Sequence, residues 1–240
     1  MSAEAPTGPR HAPRRYPRGV IVVIGSARLR PSSAERPSEA AGLAAGIALA
    51  AGGSGRPVQL VGRIGEDPAG EALLLALARA GIGHAATLRD TVHPTAVVPV
   101  SEDVDPDLLV EPMDAPDAAW SSLGPPGSAT LDGGDLELAL RYLDGFSVVV
   151  VAEPLEASSL EIVVEAAGYA GATLVVLAPG GRPQGSVPDG AIVLEAPDSD
   201  PDGVFARTVG AFAAALDAGT DPAEALRAAV AAEGWQRAEG

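Results

Sequence analysis

The sequence predicts a three-layer α/β/α domain on a central, mostly parallel sheet, and three observations carry that expectation. Val20–Ile24, Val148–Val151 and Thr173–Leu177 are continuous apolar runs without polar alternation, the pattern of strands covered on both faces. Stretches with helical spacing alternate with them, and a β-α-β-α order implies parallel pairing through right-handed crossovers. Hydrophobic residues make up 47% of the 240 residues but aromatics only 3%. Alanine, valine and leucine must therefore fill the core, which suits helices packed closely on a sheet.

The elements follow in order. Residues 1–18 are rich in Pro and Arg, with Arg10, Arg14, Arg15 and Arg18, and read as a flexible arm whose charge opposes that of the body. Residues 19–240 read as a single domain. Its first strand, Val20–Ile24, ends at Gly25, and an alanine-rich helix over Ser38–Ala51 stops at Gly52-Gly53. A second strand, Val58–Val61, ends at Gly62. Asp67-Pro68 opens a helix over Glu71–Ala80 that Gly81 closes. Thr95–Val100 and Asp107–Glu111 flank a turn-rich acidic tip, which predicts a projecting antiparallel hairpin over about 95–111. Pro and Gly dominate residues 112–127. Alternation then resumes: helix Leu136–Leu143, strand Val148–Val151, helix Ser158–Ala170, strand Thr173–Leu177 and short strand Ala191–Leu194. Two helices close the chain, Val204–Ala218 and Pro222–Glu233.

Composition excludes several chemistries. Acidic side chains number 32 against 16 basic ones, a formal net charge of −16, which repels nucleic-acid backbones and anionic lipid. All the basic residues are arginine, so neither a Schiff-base lysine nor a phosphate-loop lysine is available. Without cysteine there is no disulfide, thiolate nucleophile or cysteine-based zinc site. His11, His84 and His93 lack ligand spacing. The apolar run at Val20–Ile24 is too short for a secretory core or a membrane span, and a cytoplasmic location is expected.

The most informative segment is Val61-Gly62-Arg63-Ile64-Gly65-Glu66-Asp67-Pro68-Ala69-Gly70, followed by a helix ending at Gly81-Ile82. With His93-Pro94-Thr95 and the late helix around Thr208–Gly219, it resembles the ribokinase-like (PfkB) sugar and nucleoside kinases, over roughly residues 20–232. The resemblance implies a ribokinase-like fold with a hairpin lid, and often a homodimer formed by packing lid strands together. It also implies a mechanism centred on a "G-A-G-D" turn opening the late helix. Backbone N–H groups there form an anion hole for the transferring phosphoryl group, and the aspartate takes the proton of the attacking hydroxyl.

This chain departs from that pattern. Aligned without gaps, the turn falls on Gly203-Val204-Phe205-Ala206, with Phe205 crowding the phosphate position and Ala206 at the base position. A one-residue shift offers Asp202 as a substitute base; otherwise Asp202 is an ordinary helix N-cap. The sugar-binding stretch before the first long helix falls near Ser38–Leu43 without its paired glycines, and the first lid strands are cut short. Almost nothing intervenes between Glu195 and Asp202, where the family builds its nucleotide pocket.

Other candidates have plain readings. Gly52–Gly55 and Gly180-Gly181 read as loops, Glu66-Asp67 as a helix cap, and Asp198, Asp200 and Asp202 as a solvated loop rather than a magnesium site. Ligands of such sheets gather at the carboxyl ends of the strands. Gly62, Arg63, Glu153 and Gly203 are therefore the candidate ligand-binding residues, with Asp202 the candidate catalytic one. The leading expectation is a kinase-derived protein without efficient phosphotransfer, acting by binding a small hydroxylated or nucleotide-like ligand, or by assembly, and needing no cofactor. The alternative is an active sugar or nucleoside kinase using ATP, magnesium and Asp202; a purely structural subunit with a filled cleft is the third class.

Overall fold

The computed structural model describes residues 19–33, 36–98, 129, 131–143, 145–198 and 200–233. Six strands form one sheet: β1 (Val20–Ile24), β4 (Val58–Gly65), β5 (Thr87–Asp90), β6 (Phe146–Val151), β7 (Thr173–Pro179) and β8 (Ile192–Ala196). Their order is β5-β4-β1-β6-β7-β8, and every neighbouring pair is parallel. Helices α1 (Leu43–Gly53), α2 (Pro68–Arg79), α5 (Val204–Asp217) and α6 (Pro222–Ala232) cover one face, and α3 (Gly133–Tyr142) and α4 (Ala157–Ala170) the other.

The apolar runs explain the burial. In β1, Ile21 and Val23 point into the core under α1 and α5, while Val22 and Ile24 point into the core under α3 and α4. In β6, Val148 and Val150 join the first core, and Val149 and Val151 the second. A polar residue on either face would be stranded without partners, so neither strand alternates.

Two readings of the chain are corrected. The helix read from Ser38 begins at Leu43, because Glu39–Ala41 form a strand, β3, antiparallel to β2 (Arg28–Arg30). Gly42 breaks the chain between strand and helix at φ 92°. Alanine tolerates either state, and pairing with β2 decides it. The short segment after Gly25 thus keeps a small two-stranded sheet, extended on one side where Leu29 bridges Val97 in parallel. The strand read as ending at Gly62 continues to Gly65, because Gly62–Gly65 pair in parallel with Thr87–Asp90, an edge strand the sequence reading missed. Of the expected hairpin at about 95–111, residues 95–98 are described, and residues 99–111 lie outside the described residues. Among the described residues, no helix is long and apolar enough to cross a membrane.

Strand β1 lies between β4, which follows it through α1, and β6, on its other side. The chain therefore leaves the carboxyl end of β1 at a topological switch point, where open parallel sheets form their crevice.

Candidate functional site

A cleft of about 520 Å³ opens above that switch point. The small β2–β3 sheet forms one wall, the start of α1 the floor, and the loop before α5 the opposite wall. The volume is in the range of small-ligand sites.

Residues 197–203 alone join β8 to α5. Gly203, at φ 66° and ψ 20°, takes the left-handed conformation that turns the chain into the helix, and its N–H donates to the Asp200 carbonyl at 3.1 Å. The turn swings the Asp200 side chain over the helix end. One carboxylate oxygen accepts from the Phe205 N–H and the other from the Ala206 N–H, each at 2.9 Å. Two of the N–H groups that an α-helix leaves unpaired at its start are thereby satisfied internally, by a negative charge that also suits the positive end of the helix dipole.

The acid that caps α5 is thus Asp200, not Asp202. Asp202 is exposed, and only its backbone carbonyl is engaged, accepting from Arg207 Nη1 at 2.7 Å. The capping aspartate stands three residues before the left-handed Gly203 and reaches back over the helix start, and a reading along the helix axis cannot anticipate that loop-back. Ala206 is buried at 4% exposure. Its methyl group faces Gly46 of α1 so closely that a Cβ at Gly46 would lie 2.9 Å from it. Phe205 is buried and lines the cleft.

Glu153 follows β6 and is buried at 3% exposure. One oxygen accepts from the Ser26 N–H at 2.8 Å and from the Ser26 hydroxyl at 2.7 Å. Burial pushes its carboxyl pKa up, and the two Ser26 bonds offset only part of that. Glu153 therefore holds the chain leaving β1, and Ser26, not Glu153, lines the cleft. The space beside Glu153 on its far side, toward Pro179 and Arg182, is about 10 Å³, no more than a single water needs.

Gly62 and Arg63 stand apart from the cleft. Gly62 is buried inside β4 beside the Gly25 carbonyl. Arg63 reaches instead toward α3, with Nη1 2.8 Å from Asp135 Oδ2 and Nε 3.1 Å from Asp90 Oδ2. Asp90 also accepts from the His93 and Val92 N–H groups and contacts His93 Nδ1 at 2.9 Å. Those backbone bonds foremost, with the His93 ring and the Arg63 charge, hold its carboxyl well below the usual range.

The Gly65–Gly70 motif is a structural knot. Asp67 caps α2 by accepting from the Gly70 N–H at 2.7 Å and binds the Thr95 N–H at 2.8 Å. Thr95 Oγ1 in turn accepts from the Gly65 N–H at 2.9 Å. Among the described residues no group of three or more His, Asp or Glu is placed to hold a metal ion, and Asp198, Asp200 and Asp202 form none.

The site belongs to a class: an open parallel α/β sheet with a ligand-sized cleft at its switch point, under a small separate sheet. Several solved structures are similar to the chain in fold. One is a putative ribokinase II from E. coli in its apo form (TM-score 0.59, 12% identity, covering 89% of this chain and 91% of that one). A second is Arabidopsis thaliana ribokinase complexed with ribose and ATP (TM-score 0.53, 18% identity, 90% and 91%). A third is a PfkB protein from Polaromonas sp. JS666 (TM-score 0.52, 16% identity, 90% and 96%). Of a 2-dehydro-3-deoxygluconokinase from Thermotoga maritima the chain spans only half the length (TM-score 0.46). No protein-family profile and no curated protein matches the sequence. The chain has the ribokinase-like carbohydrate kinase fold.

Proposed function

We propose that this chain is a ribokinase-like protein that no longer transfers phosphate and works by binding a small ligand in the cleft beneath the β2–β3 sheet. The observation that carries this reading is the Asp200 carboxylate on the Phe205 and Ala206 amides. Phosphoryl transfer on this fold needs those amides free for an anion, and here an internal anion already holds them. Ala206 offers no base, and Asp202 is an exposed residue of the cleft's loop wall whose carboxylate makes no contact with the start of α5. The short 197–203 connection adds support, because it leaves no chain between β8 and α5 from which to build a wall around a nucleotide base. These residues do not fit an ATP–magnesium complex poised for transfer. Assembly through the 95–111 segment is part of the same proposal, and light scattering at tens of micromolar distinguishes dimer from monomer.

The test is a coupled ADP-release assay over ribose, fructose, adenosine and related substrates, alongside a thermal-shift titration with ATP and magnesium. The expected result is no turnover and no ATP-dependent stabilisation. Turnover approaching the ~1–1,000 per second typical of enzymes, abolished by Asp202→Asn, would overturn the reading.

A further inference from the structure

Three described arginines are half-buried: Arg28, Arg56 and Arg63. Arg56 pairs with the buried Asp217, and Arg63 with Asp90 and Asp135. Among the described residues Arg28 has no carboxylate partner, and its guanidinium donates no hydrogen bond. In a chain with twice as many acids as bases that is the unusual arrangement. A cation taken partly out of water without a counter-charge is costly, and burial accordingly pulls the Arg28 pKa down. Arg28 lies on β2 and lines the 520 Å³ cleft, while its strand neighbour Leu29 is buried in the core. The guanidinium is thus placed where a ligand, rather than the protein, can complete it.

We propose that the cleft takes a compact hydroxylated carboxylate, a molecule of the sugar-acid class, whose carboxylate binds Arg28. The inference rests on the reading of the cleft as a ligand site. The guanidinium fork matches a carboxylate in a bidentate fashion. Charge then chooses between carboxylate and phosphate. Arg30 on the same wall is already paired with Glu39 at 3.5 Å, and Asp200 and Asp202 face the cleft from the other side. One uncompensated cation among these acids accommodates a single negative charge, whereas a doubly charged phosphate would be repelled by the acids opposite. Acceptors at Asp202 and Glu39 suit the hydroxyl donors of a polyol, and Leu43, Gly46 and Phe205 supply an apolar floor for its carbon skeleton.

The experiment titrates the full chain by calorimetry with D-ribose, D-ribonate and D-ribose 5-phosphate, and with their six-carbon counterparts, at fixed pH and ionic strength. The carboxylates are expected to bind, and the neutral sugars and phosphate esters to bind at least tenfold more weakly. Arg28→Gln is expected to weaken carboxylate binding about 10- to 100-fold, the loss of a charge-assisted bidentate contact. Arg79→Gln, on the exposed side of α2, leaves it unchanged. Because Arg28 has no carboxylate partner among the described residues, Arg28→Gln without ligand should melt no lower than the parent. A clearly lower melting point would reveal an internal partner and overturn the proposal. So would equal binding by the neutral sugars or by Arg28→Gln, preferred binding of the phosphates, or no carboxylate binding. Only ATP-dependent turnover, measured separately, overturns the underlying reading of a non-transferring protein.

Discussion

One carboxylate oxygen of Asp200 sits 2.9 Å from the amide nitrogen of Ala206, the residue aligned with the catalytic base of the kinases this chain resembles. The acid and the base position are therefore linked, but through the backbone, and the acid serves the helix. Replacing Asp200 with Ala should remove that cap and lower stability by about 0.5–2 kcal/mol. Asp202→Ala, at an exposed side chain, should stay within about 0.5 kcal/mol of the parent. Urea denaturation of the two variants side by side checks the assignment. Equal losses would mean that Asp202 shares the cap.

Gly70→Ala probes the Gly65–Gly70 motif. A Cβ at Gly70 would overlap the Gly65 carbonyl oxygen and lie 2.9 Å from Thr95 Oγ1. Backbone cannot move aside cheaply where Asp67 and Thr95 tie both strands of the knot. A loss of about 1–3 kcal/mol is expected despite the better helix propensity of alanine. Gly168→Ala, where a Cβ meets nothing within 4 Å, should be neutral or slightly stabilising, and a melting comparison separates the two sites.

Glu153 should make stability fall as pH rises. Its folded pKa is raised above the ordinary 4.5, so the native state holds the proton more tightly than the unfolded chain does. The stabilisation is fully present below the unfolded pKa and is lost as pH climbs through the folded one. Glu153→Gln keeps an acceptor for Ser26 without the charge. It should match the parent near pH 4.5 and exceed it increasingly toward pH 8, as read from urea midpoints across that range. Glu161→Gln, at an exposed position on α4, corrects for the general charge effect. Asp90 acts in the opposite sense: its pKa is lowered from 3.8, and its contribution is lost only in acid.

Much of the fold was legible because burial on both faces leaves a strong signature. The runs at Val20–Ile24 and Val148–Val151 are β-branched throughout, and Asp67-Pro68 and Asp221-Pro222 mark helix starts that the structure keeps. The strand Glu39–Ala41 was not legible, since three residues of alanine and glutamate read equally as helix, and only pairing with Arg28–Arg30 decides them. Thr87–Asp90 escaped for a related reason: an edge strand of four residues, one of them exposed and charged, carries no apolar run. The site was half legible. Ala206 and Gly203 could be placed by alignment, but Asp200 could not be chosen over Asp202, because both precede the helix and only the turn at Gly203 shows which folds back. Arg63 looked like a cleft residue until β4 proved to extend past Gly62 and α3 supplied Asp135.

Restoring the base alone should not restore a kinase. Ala206 is buried against Gly46, so an aspartate there must find room for its carboxylate near the start of α5, where Asp200 already holds the adjoining amides. Two carboxylates so close cannot both stay ionised without cost, and the new one would be a poorly placed base. General-base assistance is worth roughly 100- to 10,000-fold, but only when the phosphoryl donor is held in line. Ala206→Asp is therefore expected to lower the melting point and give no sugar-dependent ADP release. Asp200→Asn with Ala206→Asp should recover part of the lost stability by removing one charge, again without turnover. Phe205→Gly with Ala206→Asp opens the turn further and should still fail to bind ATP, since residues 197–203 supply no nucleotide wall. Clear turnover from Ala206→Asp alone would mean that a nucleotide site exists and that Asp200 yields the amides when phosphate arrives.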